Sequence, residues 1–146
     1  MYKSKEIIKF EIVTPEKIAL KEMIKKVTVP TEEGFITVLP KHMPLVGILK
    51  PGVIELVNEN NEHKIMSVSG GFIEVFRNKV VLLADTAERA EEIDLAKAEA
   101  ARKTAEQSLK NLRTSDKERF ANINASLAKE LARTKAVIRW KKINKL

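Results

Sequence analysis

All five glycines (34, 47, 52, 70 and 71) and all five prolines (15, 30, 40, 44 and 51) lie before residue 72, so the second half of this 146-residue chain holds neither. Glycine and proline punctuate turns and disturb helix interiors, which predicts a turn-rich first half and a long, helical second half. Domains mostly run roughly 100–150 residues, so the chain has room for one ordinary domain or a small domain with an appendage, and a large multidomain enzyme is excluded. The change in grammar puts the boundary near residues 85–90, dividing the chain into 1–86 and 87–146.

Before that boundary, β-branched and aromatic residues gather in runs of about five to seven, the length of ordinary strands. The runs are Ile7–Val13, Ile24–Val29, Phe35–Leu39, Val53–Val57, Lys64–Val68, Phe72–Phe76 and Val80–Ala84. Several alternate with period two, which turns one face inward. The polar stretches Asn58–Glu62 and Arg77–Lys79 read as hairpin tips whose residues tolerate positive φ. Strands this closely spaced, with no helices between them, predict an all-β sandwich or barrel.

After the boundary the period changes. Ala98, Ala101, Ala105, Leu109 and Leu112 are spaced by three and four, as on one face of a helix beginning near Ile93 or Asp94. Residues 111–114 should end it, and Ser115 with Glu118 has capping-box spacing for a second helix. Phe120, Ile123, Leu127, Leu131, Thr134 and Ile138 then form a second stripe. Two stripes joined by a short polar turn predict an antiparallel helical hairpin, with helices of roughly 20 and 25 residues. Such a hairpin is marginal alone and must lean on the sandwich or on another protein.

The formal charge of +7 is concentrated behind the boundary, where 15 basic residues face 9 acidic ones, against 12 and 11 in front. Lys129, Arg133, Lys135, Arg139, Lys141, Lys142 and Lys145 accompany a single acid, Glu130, in the last 18 residues. An acidic surface is the natural partner of such a segment. Nucleic acid is not expected, because one Trp and one Tyr supply little stacking and no reader motif accompanies the charges. Neither a secretory signal nor an apolar run of about 20 residues stands at the start, so direct membrane insertion is not expected either.

Catalytic constellations are scarce. No cysteine is present, and the two histidines, His42 and His63, stand apart, so thiol chemistry is removed and a zinc site has little support. Gly70-Gly71 leads into another strand-like run, which points to a tight turn or close packing and away from a phosphate loop. Ser67 and Ser69 lack an evident base. Glu32-Glu33 and Glu91-Glu92 fall in a loop and at a helix start, where carboxylates have ordinary roles. The chain is expected not to be an enzyme. A free-standing basic binding module is the alternative class.

Three stretches carry a resemblance over essentially the whole chain. They are Glu33–Val46, followed by Leu49-Lys50-Pro51-Gly52; Ser69–Val75; and Val81–Ala90. In this order, before a two-helix tail, they resemble the epsilon-subunit family of F-type ATP synthases. The resemblance implies a non-catalytic rotor subunit whose sandwich sits against the gamma subunit and the c-ring, at the cytoplasmic face of a bacterial plasma membrane as a peripheral component. The loop around Phe35 and His42 looks like the part facing the c-ring, with Phe35 where some relatives have an acid.

The hairpin is similar to the family's regulatory element, which folds down on the sandwich or extends toward the alpha and beta subunits and blocks ATP hydrolysis. Lys129, Arg133, Lys135 and Arg139 are then expected to contact acidic segments of beta in the extended state, with one apolar stripe passing from the sandwich to gamma. Some relatives bind ATP in the folded-down hairpin. The matching positions here are Ile93, Asp94, Lys97, Lys129 and Arg133, with Lys97 in an arginine's place. The resemblance thus leaves two readings of these positions, a site for regulatory ATP or a plain helix start at Asp94 with a solvated Lys97, and it implies no required cofactor.

Overall fold

The computed structural model describes residues 6–112 and 116–145. Nine strands come first: β1 (Ile8–Val13), β2 (Ile18–Thr31), β3 (Gly34–Val38), β4 (Leu45–Leu49), β5 (Gly52–Asn58), β6 (His63–Val68), β7 (Gly71–Phe76), β8 (Lys79–Ala84) and β9 (Ala87–Arg89). A short 3-10 turn, Ala90–Glu92, leads to helix α1 (Leu95–Lys110) and helix α2 (Lys117–Ile143). This is the expected β-sandwich followed by a two-helix hairpin.

Strand β2 organises the sandwich. Its first half pairs antiparallel with β1, its second half pairs with β5 and β3, and Thr31 at its end meets Leu49 of β4. The strands β1, β8, β7 and β4 complete a hydrogen-bonded circuit back to β2, while β5, β6 and β9 extend the other layer. A register shift between Ile24 and Lys26 moves the inward side chains from Leu20 and Ile24 to Val27 and Val29. One extra residue in a period-two strand exchanges its faces, so a single strand can serve both layers. The core between the layers includes Phe10, Ile12, Ile54, Leu56, Ile73 and Leu82, each fully enclosed.

The tips carry the expected chemistry. Asn61, Arg77 and Asn78 have φ of 62°, 47° and 58°, and Asn58 Oδ1 accepts from the amides of Asn60 and Glu62. Glu32 and Glu33 form the tight β2–β3 turn, where Thr31 Oγ1 accepts from the Glu33 amide and donates to Gly34 O at 2.6 Å.

Three strand assignments need correction. The first half of β2 was not expected, because Lys17, Lys21 and Glu22 break its apolar run. Glu11 takes up Lys21, and Lys64 takes up Glu22, across neighbouring strands. Strand β4 is absent from the predicted runs, where Pro44, Gly47 and Pro51 interrupt the apolar residues, yet Gly47 fits a close approach to β7, with Ile73 Cγ2 at 3.3 Å from where a Cβ would stand. Three-residue β9 is too short to show a period and exists by pairing with β6.

Helix α1 is capped by Asp94, whose carboxylate accepts from the Lys97 amide at 3.1 Å. Asp116 caps α2 by accepting from the Arg119 amide at 3.0 Å. The expected cap Ser115 lies outside the described residues. The helices have 16 and 27 residues, so α2 is about 40 Å long. Helix α2 lies on β5 and β6, and α1 packs on α2.

Candidate functional site

Docking of α2 onto the sheet uses small side chains. Ala132, Ala136 and Val137 are buried, and Ile65, Ala90, Ile93, Ala98, Ala136 and Val137 form one cluster with Trp140 and Ile143 at its margin. Alanines let a helix approach a sheet closely, but each buried methyl group contributes only about 0.8 kcal/mol. With Val137, Trp140 and Ile143 of α2 meeting Val53 and Ile65 of the sheet, the apolar contact is real but smaller than the main core.

The stripe read from the sequence is only partly covered, with Ile123, Leu127 and Thr134 half-buried, and this corrects the expectation of a single face buried on the sandwich. Phe120, Leu131 and Ile138 stay exposed, at 50%, 37% and 54%. At 100° per residue these three fall within about 20° of one another, whereas Ala136 lies about 160° away. These three side chains form a seam that the docked hairpin leaves open.

Electrostatics supply the rest of the docking contact. Arg133 Nε donates to Glu88 Oε2 of β9 at 2.7 Å, and its Nη1 donates to Glu130 Oε2 at 3.0 Å. Arg139 Nε and Nη2 donate to the two oxygens of Glu55 on β5, at 3.2 and 3.1 Å. Burial alone lowers the pKa of Arg133. The charge and hydrogen bond of Glu88, with the help of Glu130, outweigh that and hold it above the ordinary arginine value. The hydrogen bond from Glu55, then its charge, raises Arg139.

The other predicted residues are distributed as follows. Ile93 is buried among the alanines and Val137. Asp94 is the cap of α1, Lys97 is exposed one turn into that helix, Lys129 is half-buried and Lys135 is exposed. Among the described residues none of these three lysines forms an ion pair. Shared packing of Ile93 and Ala98 with Ala136 and Val137 brings the start of α1 beside the arginine-bearing part of α2.

Phe35 and His42 do not share a site. Phe35, 72% exposed at the start of β3, borders a 230 Å³ pocket with Thr28, Val53, Glu55, Lys135 and Arg139. His42 lies beyond the other end of β3, in the loop where the Lys41 amide donates to Asn78 Oδ1 at 2.8 Å and Met43 is 78% exposed.

A second surface was not foreseen as such. Ile48, Phe72 and Leu83 are direct cross-strand partners on β4, β7 and β8, and all three side chains face outward and are exposed. The alternation of Phe72-Ile73-Glu74-Val75 separates an inner from an outer face, but only strand order assembles the outer residues into a row. Glu55 and Glu88 were also missed. The available signal was an acid at an alternate position of the apolar run Val53–Val57.

Among the described residues there is no cluster of three or more potential metal-ligating side chains, and no helix is long and apolar enough to cross a membrane.

Comparison with known proteins agrees with a β-sandwich followed by helices. Residues 7–90 match the family model described as ATP synthase, Delta/Epsilon chain, beta-sandwich domain. Residues 91–137 match that of the long alpha-helix domain of the same chain. An ATP synthase epsilon chain of Herpetosiphon aurantiacus is 44% identical over 109 residues, covering 75% of this chain and 79% of that protein. ATP synthase epsilon chain 2 of Ralstonia nicotianae is 40% identical over 133 residues, covering 91% and 94%. A chain in the cryo-EM structure of Euglena gracilis mitochondrial ATP synthase (OSCP/F1/c-ring, rotational state 1) has a similar fold. Its TM-score is 0.76 at 24% identity, over 90% of this chain and 81% of that one.

Proposed function

The chain belongs to the ATP synthase delta/epsilon family as a non-catalytic, epsilon-type subunit, and on that premise we propose that it is a central-stalk rotor component with a movable brake. In this reading the sandwich couples c-ring rotation to ATP synthesis, and the hairpin restrains ATP hydrolysis. The complex would hold it peripherally at the cytoplasmic face of a bacterial plasma membrane.

Support for the rotor role is the exposed row Ile48, Phe72 and Leu83. Contiguous apolar residues on an outer sheet face mark a protein-binding surface, and the gamma subunit is the proposed occupant. Phe35 at the start of β3 and His42 in the loop beyond its end are proposed to face the c-ring.

One observation carries the brake: α2 is docked through a small apolar face (Ala132, Ala136 and Val137, with Trp140 and Ile143 at its margin) and two arginine–glutamate contacts, while Phe120, Leu131 and Ile138 remain uncovered. A thin apolar contact makes the docked state inexpensive to leave, and the open seam offers gamma a surface distinct from the one the sandwich covers. Two arrangements separated by a few kcal/mol are enough for a switch. Once extended, Lys129, Arg133, Lys135 and Arg139 are proposed to meet acidic segments of the beta subunits beside alpha. The deciding experiment is ATPase of the complete complex with these four residues changed to Ala: inhibition should be relieved, and unaltered inhibition rejects their role.

Regulatory ATP is proposed as a ligand of the docked hairpin, with Asp94, Lys97, Lys129 and Arg133 holding it. Lys97 and Lys129 are supported by their lack of ion pairs among the described residues. Arg133 would first have to give up Glu88 or Glu130. Bound ATP supplies negative charge that ties the two helices together. A lysine at position 97 offers charge without the planar fork of arginine, which predicts weak affinity.

A further inference from the structure

Glu55 stands where a helix-covered strand ordinarily carries an apolar side chain. Its cross-strand partners are Thr28 on β2 and Ile65 on β6, and the next residue on the same face is Val53. Helix α2 packs over this strand, and its Arg139 meets the part-exposed Glu55 through Nε and Nη2, one edge of the guanidinium. Glu88 repeats the arrangement on β9, the strand that links the sheet to the hairpin, and takes Arg133. The two arginines lie six residues apart on α2 and grip different strands.

Both are also residues proposed to reach the catalytic head when the hairpin extends. A guanidinium gripped by an acid of the sandwich cannot at the same time reach an acid on the catalytic head. We propose that Glu55 and Glu88 form an ionic latch that competes with the acidic partner for the same two arginines. Hairpin release is then an exchange of carboxylates, and the sandwich acids set the threshold of the brake. The exchange half of this inference rests on the switching role proposed above. The latch itself concerns the isolated chain and stands independently of that role.

The test uses the full chain. Because it contains no cysteine, Asn144→Cys at the end of α2 and Glu62→Cys on the β5–β6 loop take a donor–acceptor dye pair cleanly. With Glu55→Gln and Glu88→Gln together, the released fraction should rise on the order of tenfold, the effect of losing two part-exposed ion pairs. High salt should open the parent chain and add little to the double variant. The swapped pair Glu55→Arg with Arg139→Glu should close the hairpin again relative to Glu55→Arg alone. An unchanged distance distribution in the double Gln variant, or no recovery on swapping, overturns the latch. In the complete complex the double Gln variant should inhibit ATP hydrolysis more strongly than the parent. If the distance opens and hydrolysis does not respond, the latch stands and the brake falls.

Discussion

Gly71 and Leu83 pass so closely in the β7–β8 pair that a Cβ on Gly71 would stand 1.9 Å from the Leu83 carbonyl oxygen. Gly71 also has φ of +138°, outside the range that L side chains favour. Its role is close packing, as the strand context of Gly70-Gly71 indicated. Gly71→Ala should cost about 3 kcal/mol or more in urea unfolding, combining backbone strain with displacement of β8. Gly34, at φ +111° with nothing within 4 Å of a built Cβ, should lose only about 1 kcal/mol on the same change. Equal losses would contradict this account.

The two helix caps separate a structural from a ligand role for Asp94. Asp94→Ala and Asp116→Ala should each destabilise the hairpin by about 1 kcal/mol, while Asp94→Ser, which can still cap, should cost little. Calorimetry on the full chain should show saturable ATP binding that both Asp94 variants weaken. Absence of heat at millimolar ATP dismisses the ligand proposal and leaves the caps untouched.

Trp140, the single tryptophan, packs half-buried beside Ala136 and Ile143 and so reports on hairpin release. At 1 M salt the screening length falls to about 3 Å, which weakens the part-exposed pairs of Arg133 and Arg139. Trp140 emission should shift to longer wavelength as salt rises. A spectrum indifferent to salt would mean that the alanine contact alone holds α2 down.

Phe72→Glu should abolish capture of gamma. Because Phe72 is 55% exposed on the outer face, thermal stability of the isolated chain should change by no more than about 0.5 kcal/mol. Undiminished capture would move the gamma contact elsewhere on the sandwich.

Ile138→Asp tests the open seam. The docked hairpin should keep its helicity and its compact distance, because Ile138 faces solvent there. Inhibition of ATP hydrolysis in the complex should weaken. A loss of docking in the isolated chain would place Ile138 on the wrong face.

The main division of this molecule is written in local chemistry. After residue 89 the chain combines freedom from glycine and proline with apolar residues spaced by three and four, a pattern that favours helix, and Asp94 marks where the first helix begins through a hydrogen bond only three residues long. Alternation likewise exposes Ile73 and Val75 as core residues. Such signals act between neighbours, and each residue's contribution is legible without knowing its distant surroundings.

Which surface covers which face is a different matter. Hydrophobic spacing identifies Phe120, Leu131 and Ile138 as residues able to be buried, but it names no partner, and the sheet instead takes the alanine side of α2. Arg139 finds Glu55 across 84 positions of chain. The first half of β2, β4 and β9 likewise exist through pairing with remote strands. Backbone preference is short-ranged and can be read residue by residue; burial and ion pairing depend on which distant groups folding brings within a few ångströms, so the latch and the open seam emerge only in three dimensions.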